Sequence, residues 1–416
     1  VRYDVSIVGL GRIGLPLALS FADRGLRVLG IDNNPERLSA LREKRMPFDE
    51  PGAQELLERV ELGLSERVGD AADAQNIVLT LGTPAFSHIE IDMRDIRSAL
   101  DDLLPVLHEG HSLILRSTVA PDTTEFVAGY LEKHRSFTVG EDVFVSHVPE
   151  RIAAGKFFEE ASTLPCIIGG VGERSGEVAA KLFEVLGAPI VQTTPVQAEL
   201  AKIWTNILRY ANFSLPNLLM MDCEQHGANV FEVIDLINKD YPRGGMAQPG
   251  LTAGTCLRKD FAFSEERSPA PGMLLAVHRV NETVPRFLVE GIKRRVGKLR
   301  GVKVAVLGLA FKAGTDDERD SLAHKLVRLL ERELADVAIH DPHVQTPTQS
   351  FDEAVDAADV VVIATNHPEF CGPAALRAIR SQARENALIV DPWNCFDAAQ
   401  VFAYADEIQT LAAPTS

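Results

Sequence analysis

Cysteine is scarce in this chain. The five residues, Cys166, Cys223, Cys256, Cys371 and Cys395, are scattered and form no CxxC pair. That spacing excludes a disulfide scaffold and points to a reducing compartment with at most one special thiol. Basic charge is short as well. Forty-two Lys and Arg stand against 59 Asp and Glu, a net charge of −17. This speaks against a dedicated nucleic-acid or anionic-membrane binder, although a local cluster of cations and amides can still hold an anionic substrate. Long apolar runs are missing too, and no uncharged stretch reaches the roughly 18 residues of a membrane span. There is no HExxH and no histidine cluster. His340 and His343 flank Asp341-Pro342 with no third ligand nearby in sequence, so no metal site is expected. The chain enters the strand-like Val5-Ser6-Ile7-Val8 at once, which leaves no room for a signal peptide, and a cytoplasmic protein is expected.

What is present is an ordinary globular composition over 416 residues, enough for two to three domains. The first 32 residues read as strand, Gly9-Leu10-Gly11-Arg12-Ile13-Gly14, helix over 15–24 with Gly25 as its stop, strand over 27–31, and Asp32. This is one βαβ unit. Further strands at 76–80, 112–115, 143–146 and 166–169, with amphipathic segments between, predict a doubly wound parallel sheet to about residue 195. From 197 to 295 helical periodicity dominates, which reads as a spacer or as a dimer surface. At Val302 the first pattern returns. Residues 302–309 match the opening strand, 338–341 match 29–32, 358–365 match 74–80, and 387–391 match 112–116, an internal repeat of the doubly wound unit. The second copy has lost the GxGxxG and gained the polar stretch 312–320, so it is expected to bind something other than a dinucleotide.

Gly9, Gly11 and Gly14 would let the backbone approach a pyrophosphate at a helix N-terminus, and Asp32 would accept ribose hydroxyls. Asn33 and Asn34 follow Asp32 with no immediate Arg for a 2′-phosphate, which favours NAD. Gly82-Thr83-Pro84 and Ser117-Thr118-Val119 each lie just past a predicted strand, where open α/β sheets bind ligands, or serve as ordinary loop and capping residues. Lys202 and Asn206 share a helix face four residues apart. They would hold an oxyanion together, or be a solvated Asn beside a Lys lying along the helix. In the Gly-rich segment 249–260, Cys256 at a helix start with Arg258 and Lys259 close by suits a nucleophilic thiolate, and Asp260 one turn on suits acid–base work. A buried structural Cys256 is the alternative, and the other four cysteines read as small hydrophobes. Glu150 after a strand is a base or a helix-start acid. Arg243, Lys312, Asp316, Asp317 and Arg319 are anion holders or solvated loop charges.

Together the motifs GLGRIGLP, Gly82-Thr83-Pro84, Ser117-Thr118-Val119, PERIAAGK from Pro149, AELAKIWTN from Ala198, GTCLRKD from Gly254 and GLAFKAGTDDERDS from Gly308 resemble the UDP-glucose/GDP-mannose dehydrogenase family of NAD-dependent nucleotide-sugar 6-dehydrogenases, from Val5 to about Asn394. The resemblance implies two Rossmann-like doubly wound parallel-sheet domains joined by a long central helix, and a homodimer. It implies an NAD-binding domain at 1–195, a central helical and dimerisation domain at 196–297 carrying the catalytic Cys, and a UDP-sugar-binding domain at 298–416. By motif match Cys256 would be the nucleophile, and Lys202 and Asn206 would stabilise the oxygen on carbon 6. Asp260, Thr118 and Glu150 would serve water activation and proton transfer. Arg12, Ile13, Thr83 and Ser117 would join the glycines and Asp32 around NAD. Arg151, Gly250, Phe311, Lys312 and Arg319 would line the sugar-nucleotide site, and Arg243 would reach the partner's substrate site. PERIAAGK, Leu164-Pro165 and YPR followed by QPG look most like the UDP-N-acetylhexosamine branch, with UDP-glucose or another UDP- or GDP-hexose as the alternative. The chain departs from the family pattern at Ala253-Gly254 in place of Gly-Gly, Arg258 in place of Pro, Leu218 in place of Glu, and Trp393 near a usual Arg. Two competing readings are a two-electron dehydrogenase of the β-hydroxyacid type, which needs no Cys256, and a non-catalytic nucleotide-sugar-binding relative, which would not need Lys202, Asn206, Cys256 and Asp260 intact.

Overall fold

The computed structural model describes residues 2–83, 94–153, 155–252, 254–265, 268, 272–398 and 400–408. Pro84, Ala154 and Ala253, each part of a motif above, lie outside the described residues. The chain divides into two compact units, Val1–Thr205 with Lys259–Arg267, and Asn206–Arg258 with Ser268–Ser416.

The first unit carries eight strands: β1 (Tyr3–Val8), β2 (Val28–Ile31), β3 (Leu62–Ser65), β4 (Ala74–Leu79), β5 (Ser112–Leu115), β6 (Phe144–His147), β7 (Cys166–Gly170) and β8 (Ile190–Thr193). Their order is β3-β2-β1-β4-β5-β6-β7-β8. From β3 to β6 every pair is parallel, in the Rossmann order with its switch point between β1 and β4. One pair departs from the parallel arrangement of this doubly wound sheet, because β6 and β7 are antiparallel. Their connection holds only the four-residue helix Phe157–Glu160, not the crossover helix that a parallel partner needs. Alternation along the strands feeds two cores. Val5, Ile7 and Ile114 pack on one face, and Val8, Leu113 and Leu115 on the other. The helix predicted after β1 runs Gly14–Asp23, and Gly25 follows it at φ 88°, the left-handed stop that only glycine adopts cheaply.

The second unit repeats the plan with β9 (Lys303–Leu307), β10 (Asp336–His340), β11 (Val360–Ile363), β12 (Leu388–Val390) and β13 (Phe402–Tyr404). The order is β10-β9-β11-β12-β13, parallel except for β13. The four repeats read from the sequence fall on β9, β10, β11 and β12, the counterparts of β1, β2, β4 and β5. The likeness extends to single hydrogen bonds. Asp32 at the end of β2 accepts the Leu10 N–H at 2.7 Å, and Asp341 at the end of β10 accepts the Leu309 and Ala310 N–H at 2.6 and 3.0 Å. Thr80 Oγ1 donates to the Gly9 carbonyl, and Thr365 Oγ1 to the Ala310 carbonyl.

Between the sheets in sequence lies a 32-residue helix, Pro195–His226, followed by helices Val230–Asn238, Thr255–Asp260 and Met273–Val296. Among the described residues no helix is long and apolar enough to cross a membrane. One cysteine expectation is corrected. Cys371 and Cys395 are not isolated small hydrophobes but a disulfide, 24 residues apart in sequence. Cys371 precedes helix Gly372–Gln382 and Cys395 follows β12, and the Gly372 N–H donates to the Cys395 carbonyl at 2.8 Å. The sheet edge gathers two loops whose proximity no local spacing reveals.

Asp341 is buried and also faces His367 Nε2 at 3.2 Å and the His343 N–H at 2.9 Å. Burial alone would push its carboxyl up, but His367 and these amides hold it well below the usual aspartate range. A depressed carboxyl stabilises the fold above its unfolded value, near ~4, and that stability drains away as pH falls further. Asp341→Asn is therefore expected to cost about 3–5 kcal/mol at neutral pH, and the difference from the wild type should shrink in acid. Urea denaturation at a series of pH values checks both statements.

Candidate active site

In the first unit a cavity of about 870 Å³ opens at the C-terminal ends of β1, β2 and β4, lined by Gly9, Gly11, Asp32, Thr80 and Gly82 among others. A Cβ on Gly14 would sit 1.9 Å from the Gly9 carbonyl oxygen, so the helix can start this close to the strand only with glycine there. A Cβ on Gly11 would meet nothing within 4 Å, leaving that side open to a ligand. No side chain caps helix Gly14–Asp23; the Leu15 N–H donates to the Gly11 carbonyl at 3.0 Å and Pro16 carries none, so an anion would be met by the glycine turn ahead of the helix. Asp32 is buried and shapes the rim. Besides Leu10 it accepts the Asn34 N–H at 2.9 Å and pairs with Arg37 at 2.7 Å. The sequence reading found no Arg immediately after Asp32 and overlooked Arg37, five residues on, which the structure places on the carboxylate itself. Arg12 lies 5.1 Å over the Phe48 ring, and Ile13 precedes the first helix.

Beyond β4 and β5 the predicted polar residues interlock. Ser117 Oγ donates to the Leu81 carbonyl at 2.6 Å, and Thr83 Oγ1 to the Thr118 carbonyl at 2.8 Å. Lys259 Nζ lies 3.4 Å from Thr83 Oγ1 and pairs with Asp260 Oδ1 at 2.6 Å, with both side chains buried. Glu150 is buried as well. Its Oε2 takes the Arg116 guanidinium at 2.6 Å and its Oε1 the Ile152 N–H at 2.9 Å, which fixes the backbone beside Arg151. Arg116 also donates to the Val148 carbonyl and stacks 5.0 Å over the Phe183 ring. Sequence reasoning missed Arg116 as a partner of Glu150, and its place directly before Ser117 was the available signal. His147 at the end of β6 donates from Nδ1 to the Leu115 carbonyl. Burial, reinforced by the Arg116 and Lys202 charges, pushes it down to about 3, so it is neutral at physiological pH.

Lys202 and Asn206 lie one turn apart on the long helix, half-buried and buried respectively. The division between units falls between them, after Thr205. It also falls inside helix Thr255–Asp260, after Arg258.

In the second unit Cys256 is exposed. The loop before it is tightly held. The Gly250 N–H donates to Asn217 Oδ1 at 2.8 Å, and Asn217 in turn donates to Asn281 Oδ1 at 2.8 Å. A Cβ on Gly250 would lie 2.4 Å from the Trp393 ring, and one on Gly254, at φ +99°, 2.7 Å from the Phe311 ring. The structure thus brings Gly250, Cys256, Phe311 and Trp393 into one neighbourhood. Lys312 is half-buried in the same loop. Arg319 forms a bidentate pair with Asp317 at 2.9 and 2.8 Å, which raises its pKa further, with the Cys256 charge adding to the effect. Arg243 is exposed. Its guanidinium lies 4.7 Å over the Tyr241 ring, and the loop is pinned by Asn238, which accepts the Gly245 and Met246 N–H. His343, His367 and Glu369 lie close enough to suggest a metal. However, His367 Nδ1 accepts the Gly314 N–H at 3.1 Å and Nε2 faces Asp341, so neither ring nitrogen is left for one.

Comparison with known proteins agrees with this arrangement. Residues 3–187 match the NAD binding domain of the UDP-glucose/GDP-mannose dehydrogenase family, 196–283 its central domain, and 305–398 its UDP binding domain. The chain is 34% identical to a UDP-N-acetyl-D-mannosamine dehydrogenase of Pyrococcus horikoshii, over 88% of this chain and 90% of that one. It is 29% identical to an NDP-N-acetyl-D-galactosaminuronic acid dehydrogenase of Ralstonia solanacearum, over 96% and 97%. Among solved structures, the Pyrococcus horikoshii UDP-D-ManNAc dehydrogenase superposes with a TM-score of 0.85 at 33% identity, covering 92% of this chain and 93% of that one. A UDP-glucose dehydrogenase of Pyrobaculum islandicum gives 0.80 at 30%, covering 89% and 91%. An NAD-dependent nucleotide-sugar dehydrogenase of two Rossmann-like units, this chain belongs to the UDP-glucose/GDP-mannose dehydrogenase family.

Proposed function

We propose that the chain oxidises carbon 6 of a UDP-N-acetylhexosamine to the uronic acid through a covalent thioester on Cys256. The observation that carries this reading is the helix Thr255–Asp260, which holds an exposed thiol and, one turn on, a buried carboxylate paired with lysine. The names of the relatives, UDP-N-acetyl-D-mannosamine and NDP-N-acetyl-D-galactosaminuronic acid dehydrogenases, support the N-acetylhexosamine.

NAD, bound twice in succession, would supply the two hydride acceptances. The glycine turn that leads into helix Gly14–Asp23 would hold its pyrophosphate, and Asp32 its ribose. Lys202 and Asn206 would stabilise the carbon 6 oxygen as it loses its proton to become the aldehyde. The Cys256 thiolate would add to that aldehyde, giving a thiohemiacetal, whose oxidation leaves a thioester. Water would then cleave the thioester, returning the thiol and releasing the carboxylate, with Asp260 and Thr118 disposed to orient the water. Glu150, committed to Arg116 and Ile152, would act on the substrate loop through Arg151. Gly250, Phe311, Lys312 and Arg319 would hold the uridine diphosphate.

We further propose a homodimer. Leu200, Trp204, Leu208, Leu215 and Leu218 are all exposed on the long helix, and at 100° per residue they fall within about 80° of arc. A single apolar stripe of that kind suits a self-complementary interface. Arg243, exposed on its pinned loop, would be offered to the partner's sugar-nucleotide site.

Purified protein should be given NAD and a panel of UDP-N-acetylmannosamine, UDP-N-acetylglucosamine, UDP-glucose and GDP-mannose. A UDP-N-acetylhexosamine should be turned over fastest, and turnover of UDP-glucose alone would overturn the substrate assignment. Cys256→Ser should form no uronate yet still bind the sugar nucleotide, and undiminished uronate production would remove the covalent step. Lys202→Ala should lower kcat by about 10²–10³-fold, the usual loss for one oxyanion donor, read by steady-state kinetics. Leu208→Glu should sediment as a monomer, whereas a dimer of wild-type mass would place the interface elsewhere.

A further inference from the structure

The chain's own departure at residue 258 has a definite structural setting. Arg258 lies two residues after Cys256 on the short helix, and its side chain is largely withdrawn from solvent. Its Nε pairs with Glu282 Oε1 at 2.7 Å on helix Met273–Val296. Its NH1 donates to the Asp320 carbonyl at 3.1 Å and faces the Asp320 carboxylate at 3.6 Å. Glu282 is shared. Lys325, on helix Leu322–Arg332, reaches Glu282 Oε2 at 2.9 Å and the Glu282 carbonyl at 2.7 Å. Arg258 and Lys325 therefore meet at the Glu282 carboxylate, joining the cysteine helix, the second long helix and helix Leu322–Arg332, and Arg258 alone adds the loop end at Asp320.

We propose that Arg258 is a positioning residue for the Cys256 thiol, tying the cysteine helix through Glu282 and Asp320 to the loop that carries Phe311, Lys312 and Arg319. The proposal rests on the reading of Cys256 as nucleophile. Asp320 directly follows Arg319, whose guanidinium is already clamped by Asp317, and the Asp317 carbonyl accepts the Phe311 N–H at 3.0 Å. The chain of contacts Arg258–Asp320–Arg319–Asp317–Phe311 fixes the loop from end to end, and Phe311 returns to pack where a Cβ on Gly254 would stand. The thiol and the loop thus share one register.

The charges balance locally. Burial would raise the Glu282 carboxyl, but Lys325 and Arg258 hold it below its ordinary range. Tyr210 from the long helix and His278 from its own helix, bonded to each other at 3.2 Å, also act on Glu282 among the described residues. Removing Arg258 would leave Glu282 with Lys325 alone and release Asp320, so the helix would lose its only ion-pair contacts to the loop end among the described residues. Lysine at 258 keeps a charge for Glu282 but not the fork that also reaches Asp320.

The test compares Arg258→Met, Arg258→Lys and Glu282→Gln with wild type in uronate formation, KM for NAD, melting temperature and the rate of Cys256 alkylation by iodoacetamide. A displaced nucleophile should cost about 100-fold in kcat. Arg258→Met is expected to show that loss with KM for NAD unchanged and with a shifted alkylation rate. Arg258→Lys should fall between Arg258→Met and wild type. Glu282→Gln should reproduce part of the loss, and combined with Arg258→Met it should add little, because the two act as a unit. Wild-type kcat in Arg258→Met would overturn the proposal, as would a loss matched only by melting temperature with alkylation unchanged. If Arg258→Met does not fold, Glu282→Gln decides by the same readouts. Cys256→Ser, run in parallel, separates the two claims. Uronate formation in that variant would sink the nucleophile reading itself, whereas an inactive Cys256→Ser beside a fully active Arg258→Met would sink the positioning role alone.

Discussion

One carboxylate at the end of the second strand, gripping the amides of the turn that leaves the first strand, sets the conditions for everything else in each unit. Asp32 does this for Leu10, and Asp341 for Leu309 and Ala310. A parallel sheet delivers its ligands at the carboxyl ends of its strands. The turn after the first strand must therefore keep its amides aimed and its glycine in the left-handed region, and Gly9 and Gly308 sit there at φ 99° and 100°. A buried negative charge that accepts those N–H groups makes the turn rigid at the point where an anion will approach.

The two units spend this shared device differently. In the first, Asp32 lines the cavity, and the following helix starts without a side-chain cap. In the second, His367, His343 and Val344 close over Asp341, and the loop after β9 folds back through Asp317 onto Phe311. The equivalent turn here supports a polar loop with Lys312 and Arg319. The first use lies in the part of the chain that matches the family's NAD binding domain, and the second in the part that matches its UDP binding domain.

Much of this was legible in the sequence, for physical reasons. GxGxxG followed by an acid at a strand end constrains backbone geometry so strongly that the first βαβ unit and its cofactor follow from it. The repeat was legible because buried parallel strands must be continuous apolar runs, and β9, β10, β11 and β12 kept theirs. What stayed hidden depended on long-range placement. The reversal at β7 turns on a connection too poor in helix to cross the sheet, and β3 and β8 are edge strands with no fully buried residue to mark them. Arg37 on Asp32 and the Cys371–Cys395 disulfide join residues whose sequence neighbours give no sign of the partner, and Arg116 under Glu150 left only its place before Ser117 as a signal. Arg258 was visible as a departure from the family, but its meaning came only with Glu282 and Asp320.

The central claim is a four-electron oxidation carried through a protein thioester, and stoichiometry tests it most directly. With limiting UDP-N-acetylmannosamine or UDP-N-acetylglucosamine and excess NAD, the NADH formed should be counted against sugar nucleotide consumed. Two NADH for each sugar nucleotide, with the uronate as the sole product, is the result this account predicts. One NADH for each, with an aldehyde or ketone left behind, would contradict it and leave Cys256 without its role.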